Sequence, residues 1–248
     1  MAGHSKWANI KRRKGAQDVQ RGKIFSKLNK EIMVAAKIGG GDPDANPRLR
    51  LAISKARSAN MPRDTVERAI KKGTGNLDGV NYEEISYEGY GPAGVAILVE
   101  VLTDNRKRTV SEVRHAFTKY NGNLGESGCV AWIFQMTSYF VFSVEEVDGD
   151  KLVEVALEAG VDDINEGGGE IEVTASPENF QATKDVFDRE ELAYQVAEVT
   201  MIPQNTISLD GKQAEQALKL VEALEESDDV QKVYANFDIP EDVMESLQ

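Results

Sequence analysis

The apolar residues of this chain change their period once, near residue 80. Before that point Ile24, Phe25, Leu28, Ile32 and Ala36 recur at steps of three and four, the spacing of one helical face. After it, the stretches 83–88 and 95–102 alternate, as half-buried strands do. The two periods cannot share one layer, so a helical unit is followed by an α+β unit. The glycine-rich run GTGNLDGV at 73–80 is the natural boundary.

The helical part divides further. A helix is expected over 18–37, with Arg21, Lys23, Lys27 and Lys30 largely opposite its apolar face and Gly39–Gly41 as its stop. Asn46-Pro47, a cap residue followed by proline, opens a second helix running to about 60. A third follows Met61-Pro62 and ends at Gly73. Three short helices make a small bundle. Ahead of them residues 1–16 hold five Lys/Arg, no acid and no apolar period, a basic arm with Trp7 and Ile10 as candidate anchors, Trp7 either docking the arm on the bundle or stacking on a base or ribose.

Beyond the boundary, two strands are joined by the turn 89–94. A helix is expected at 105–120 and a strand at 129–134. Residues 138–202 read as βαββαβ, the ferredoxin-like split motif. The tail from 206 gives only βαβ, too little for a domain, but joined to 80–135 it completes a second sandwich. The predicted architecture is α+β: an N-terminal three-helix domain followed by two ferredoxin-like α/β sandwich domains, one inserted in the other. The expected divisions are 1–77, a discontinuous 78–136 plus 203–248, and an inserted 137–202. The alternative is two sequential domains with a C-terminal appendage.

Charge narrows the function. The chain of 248 residues carries a net −13, yet residues 1–77 hold 18 Lys/Arg against 6 Asp/Glu, and residues 78–248 hold 11 against 36. A basic segment of net +12 thus sits on a body of net −25. A basic surface releases counterions when it meets phosphates, while the acidic body repels them from other faces. This pattern points to nucleic acid as the partner. No run of about 18 apolar residues offers a membrane span, and the basic N-terminus leads into no apolar signal core. The single cysteine, Cys129, and the two histidines, His4 and His115, are too few for a zinc site. A reducing cytoplasmic location and no cofactor are expected.

Chemical motifs do not survive inspection. Gly89-x-Gly91-x-x-Gly94 matches the dinucleotide fingerprint in letters, but a strand follows where the fingerprint needs a helix. No Walker A pattern is present. Asp163 to Thr174 lacks two ligands of a calcium loop. His115 is expected as a surface or packing residue of a helix rather than a general base, and Cys129 and Trp132 in the core. The run Glu222, Glu225, Glu226, Asp228, Asp229 falls at a helix C-terminus, where like-signed dipole and charges oppose one another. The 137–203 segment holds three basic residues against 17 acids, and its third strand is Glu-Ile-Glu-Val-Thr, a poor surface for RNA. A second basic cluster, Arg106, Lys107, Arg108, Arg114 and Lys119, stands out in the acidic part.

Seven blocks then carry a resemblance: MAGHSKW at the start, RGKIFSKL at 21–28, NPRLR at 46–50, ANMP at 59–62, YEGYGPAGVA at 87–96, LTDNRKRTVSEVRHAF at 102–117 and GNLGESGCVAWIF at 122–134. Together they resemble the YebC/PmpR family, which includes the mitochondrial translational activator of cytochrome oxidase. The resemblance extends to YANFDIP at 234–240. It implies a cytoplasmic, non-enzymatic protein with a helical N-terminal domain and two α+β domains. Bacterial members are described as probable transcriptional regulatory proteins that bind DNA; others act in translation at the ribosome. The resemblance supplies no catalytic residues, and its matching basic positions include Lys14, Arg21, Lys23 and Lys27. With Lys6, Lys11, Arg12, Arg13 and the cluster Arg106, Lys107, Arg108 and Arg114, these are the candidate nucleic-acid contacts. The expected partner is DNA or, alternatively, ribosomal RNA and the ribosome, with no membrane and with room for a protein at the acidic domains.

Overall fold

The computed structural model describes residues 19–75, 80–240 and 243. The expected basic arm, with Lys6, Lys11, Arg12, Arg13 and Lys14, lies outside the described residues, as does the Arg21 side chain.

Three helices open the described chain: α1 (Val19–Gly39), α2 (Pro47–Ser58) and α3 (Arg63–Gly73). Asn46 organises the first junction. Its Oδ1 accepts the Leu49 N–H at 3.1 Å, and its Nδ2 donates to the carbonyls of Ala35 and Gly40, both at 2.8 Å. One side chain therefore caps α2 and satisfies carbonyls at the end of α1. Ile32, Ala35 and Ala36 meet Leu49, Ala52 and Ala56 of α2 and Val66 and Ala69 of α3 in one buried cluster. At the end of α3 the backbone comes so close to α1 that a Cβ on Gly73 would lie 2.3 Å from the Met33 carbonyl oxygen.

The expected single apolar face of α1 is only part of its packing. Ile32 through Ala36 are all buried, and so is Lys30. The supposed polar side of this helix meets the rest of the molecule, and Lys27 and Lys30 bond to it there.

The first sheet has the order β3-β1-β2-β9. It is built from β1 (Glu83–Tyr90), β2 (Ala96–Thr103), the two-residue β3 (Asn123–Leu124) and β9 (Val230–Ala235). All its pairs are antiparallel, with Tyr87 opposite Val99. Helices α4 (Arg106–Lys119) and α7 (Gly211–Glu226) bury Val113, Phe117, Leu220 and Leu224 against Val99 and Val101. The second sheet has the order β5-β6-β4-β7. Its strands are β4 (Phe134–Ser143), β5 (Asp163–Gly167), β6 (Glu170–Ala175) and β7 (Tyr194–Pro203), again all antiparallel. Helices α5 (Gly149–Glu158) and α6 (Phe180–Arg189) close this βαββαβ unit over Phe140, Phe142 and Phe187. Phe187 meets the two other rings edge-on, at 5.0 and 5.2 Å, a favoured aromatic geometry. The fold is thus N-terminal helices followed by two antiparallel sheets.

Three expectations are corrected. The strand expected at 129–134 is a loop with a short 3-10 turn, Ala131–Ile133, and β4 begins only at Phe134. The cause is Glu88, whose buried carboxylate accepts the N–H groups of Gly128, Val130 and Ala131 at 2.7 to 2.8 Å. Donors spent on a carboxylate cannot build a strand ladder. Desolvation pushes the Glu88 carboxyl up, but the three backbone donors outweigh it and hold it below its ordinary range. Second, Trp132 is not core: it is 66% exposed. Third, the strand expected at 206–209 shrinks to β8 (Ile207–Ser208). It pairs in parallel with β10 (Phe237–Asp238) in a separate ribbon, and β3 supplies the first sheet's fourth strand. The β4–β7 ribbon is continuous from Phe134 opposite Pro203 to Phe142 opposite Tyr194, with a register shift near Phe142.

Candidate nucleic-acid interface

The corner between α7 and β9 draws two distant basic segments together. Asp229 is buried there. Its Oδ1 accepts Lys30 Nζ of α1 at 2.7 Å, and its Oδ2 accepts the Arg108 guanidinium at 2.6 Å, Thr109 Oγ1 at 2.8 Å and Thr103 Oγ1 at 3.1 Å. Burial alone would raise the Asp229 carboxyl; the bonds from Arg108, Lys30 and Thr109 overcome that and lower it to about 2. The bond to Asp229, with a second to Asp104 at 2.8 Å, raises the Arg108 guanidinium above its ordinary value.

The acidic end of α7 thereby finds its compensation. Lys27 Nζ donates to the Glu225 carbonyl at 2.9 Å and Lys30 Nζ to that of Asp228 at 2.8 Å. Lysines at a helix C-terminus answer both the dipole and the unpaired carbonyls. The helix end that looks electrostatically misplaced in the sequence receives α1 through the Glu225 and Asp228 carbonyls and the Asp229 carboxylate.

The sequence-predicted contacts therefore separate into two groups. Lys27 and the still exposed Arg108 carry the bonds that fix α1 and α4 to the α7–β9 corner. Lys23 is half-buried. Arg106, Lys107 and Arg114 are exposed on α4, and no ion pair to any of them exists among the described residues. Arg106 and Lys107 occupy the first turn of α4, which has no acidic residue. Cations there add to the positive end of the helix dipole, so this turn attracts anions. Its cap, Asn105 Oδ1, accepts the Arg108 N–H at 3.1 Å.

The helical unit adds cations that a charge count along the chain includes but does not single out. Arg50 and Arg57 lie seven residues apart on α2, and Arg68 and Lys71 three apart on α3. All four are exposed, and each spacing places its pair on one helical side. Among the described residues none of the four side chains has a carboxylate within ion-pair distance. The available signal was spacing: once Asn46-Pro47 and Met61-Pro62 fix the helix starts, the outward positions follow.

Elsewhere chemistry is sparse. His115 is exposed on α4, the surface alternative of the two expected. Among the described residues no group of three His, Cys, Asp or Glu side chains is arranged to hold a metal. No described helix is long and apolar enough to cross a membrane.

Comparison with known proteins places the chain. Residues 5–76 match the TACO1/YebC protein N-terminal domain, and residues 82–237 match the TACO1/YebC second and third domain. A relative from Geotalea uraniireducens is 59% identical over 247 residues, spanning 100% of both chains. One from Syntrophobacter fumaroxidans is 55% identical over 248 residues, with the same coverage. Both are called probable transcriptional regulatory proteins. The crystal structure of a conserved hypothetical protein from Aquifex aeolicus superposes with a TM-score of 0.84 at 48% identity, covering 96% of this chain and 98% of that one. The chain belongs to the TACO1/YebC family.

Proposed function

We propose that the protein is a non-enzymatic regulator of gene expression that binds DNA and acts on transcription. Its basic N-terminal region would hold the phosphate backbone. The observation that carries this reading is the set of exposed, unpaired cations: Arg50, Arg57, Arg68 and Lys71 on the helical unit, with Arg106, Lys107 and Arg114 on α4. Relatives named as probable transcriptional regulatory proteins support the same direction. So does the segregation of +12 from −25 along the chain. Phosphate contacts position a protein on nucleic acid without selecting a sequence, so these residues account for grip rather than for choice of target.

The division into a basic helical domain, a discontinuous middle domain and an inserted domain belongs to this proposal. It leaves the acidic inserted unit away from phosphate and open to a protein partner. Crosslinking in cells followed by sequencing of both bound DNA and bound RNA tests the reading. Recovery of discrete genomic DNA sites is expected. Recovery of ribosomal RNA alone would overturn it in favour of a ribosome-associated translation factor.

A further inference from the structure

A cleft of about 360 Å³ opens where the three parts of the molecule meet. It is lined by Ile24 and Leu28 of α1, Lys55 of α2, Lys232 and Tyr234 of β9, and Met136 at the start of β4, among others. Its charges are not all answered. Arg48 holds Glu31 at 3.2 Å and also Glu84. Lys27 donates to the Glu225 carbonyl. Lys232 reaches Glu198 at 3.5 Å, and Glu100 accepts the Tyr234 hydroxyl at 3.1 Å.

Lys55 alone among these cations has neither a hydrogen-bond acceptor nor a carboxylate within ion-pair distance among the described residues. It is half-buried, and burial, followed by the charge of Lys232, pushes its ammonium down. Glu198, Glu31 and Glu100 oppose that shift without coming within ion-pair distance, and a half-buried ammonium with no directly bonded acceptor is an electrostatic cost that an incoming anion lowers.

Part of the same lining is apolar and open. Ile24 is 43% and Met136 50% exposed, next to Leu28, Met201 and the Tyr234 ring. Isolated exposed apolar residues need no explanation, but these share one concave wall with the unanswered ammonium. The ligand chemistry that meets both is one anionic group joined to a flat, weakly polar body. Charge also limits the anion. Arg48 is matched by Glu31 and Glu84 and Lys232 by Glu198, which leaves the Lys55 ammonium as the single cation of the cleft with neither a hydrogen bond nor an ion pair among the described residues. A phosphodiester carries a single negative charge; a terminal phosphate carries between one and two at neutral pH.

We propose that this cleft takes one nucleotide of a single strand, with its phosphodiester at Lys55 and Lys232 and its base against Met136 and Tyr234. This rests on the nucleic-acid reading above and adds that the bound strand is locally unpaired at the cleft. Bases stack on such walls without regard to sequence, so the contact is sequence-tolerant.

The test uses the full chain with 13C-methyl-labelled methionine, whose six methyl groups are resolved by NMR. Met136 and Met201 are assigned through their leucine variants. The probes are the deoxydinucleotide d(TpT), thymidine monophosphate and inorganic phosphate. Saturable shifts at Met136 and Met201 on adding d(TpT) are expected, with affinity falling about tenfold in Lys55→Met and surviving in Lys55→Arg. The Met variant retains the apolar stem of lysine and removes only an unpaired charge, and an unchanged Tm checks that it folds. Unchanged d(TpT) affinity in Lys55→Met, or equal occupancy by inorganic phosphate, overturns the proposal. Tighter binding of thymidine monophosphate than of d(TpT) assigns the cleft to free nucleotides and overturns the strand reading. A duplex-binding assay run alongside separates the two levels. If duplex binding through Arg50 and Arg57 persists while d(TpT) leaves the methyls unmoved, only the cleft proposal fails. If neither probe nor duplex binds, the nucleic-acid reading fails as well.

Discussion

Asp229 shows how much of this molecule depends on a single carboxylate. It accepts from Lys30, Arg108, Thr103 and Thr109 while almost fully buried. Asp229→Asn leaves Lys30 charged and without its counter-ion inside the protein. Breaking one side of a buried pair costs about 3–5 kcal/mol, and a denaturant titration of the variant should show a loss of that order. The pH dependence follows from the same group. Its carboxyl lies at about 2 in the folded protein and at about 3.9 in an unfolded chain. The stabilisation is therefore complete above about pH 4 and disappears as pH falls from 4 towards 2, a contribution of about 2–3 kcal/mol. Stability curves of wild type and Asp229→Asn should converge over that interval; a constant separation down to pH 2 would contradict the assignment. None of this was legible in the sequence. Asp229 reads there as one more acid at a helix end, and its partners are 121 and 199 residues away.

Among the elements, α1 and the 129–134 segment show where periodicity succeeds and where it fails. The starts of α2 and α3 followed from Asn46-Pro47 and Met61-Pro62 because caps and proline act locally. The second packing side of α1 did not, because burial of Lys30 is decided by a corner formed some two hundred residues later. The run CVAWIF has strand composition, yet the Glu88 carboxylate captures its N–H groups, a competition no pattern within the run records. A Glu88→Ala variant should release this loop. Trp132 fluorescence in a Trp7→Phe background should then lose anisotropy, whereas an unchanged signal would show that Glu88 is not what holds it. Gly73 gives a test in which local and tertiary effects have opposite signs. Helix propensity favours alanine over glycine by about 1 kcal/mol, but a Cβ there would stand 2.3 Å from the Met33 carbonyl oxygen. Overpacking of this kind costs about 1–3 kcal/mol. Gly73→Ala should therefore lower Tm, and a rise would show that α1 and α3 are not packed this closely.

At the scale of the whole molecule, the protein is an acidic body with cations concentrated at one part of the chain, some turned inward to hold it together and others left open. That partition is invisible in the net charge and shows only in how the charges are distributed along the chain and over the fold. It explains why Lys27 and Arg108, plausible contacts by residue type, carry structural bonds, while Arg50, Arg57, Arg68 and Lys71 stand free. The most direct test of the central claim is the salt dependence of duplex DNA affinity, measured between about 50 and 200 mM salt for wild type and for the Arg50→Glu, Arg57→Glu, Arg68→Glu, Lys71→Glu variant. With about six phosphates neutralised, log affinity should fall against log salt with a slope near −5. In the variant that slope should flatten by about 0.9 for each phosphate no longer neutralised, together with a large drop in affinity and an unchanged fold. A correctly folded variant that keeps both the wild-type slope and the wild-type affinity would contradict it.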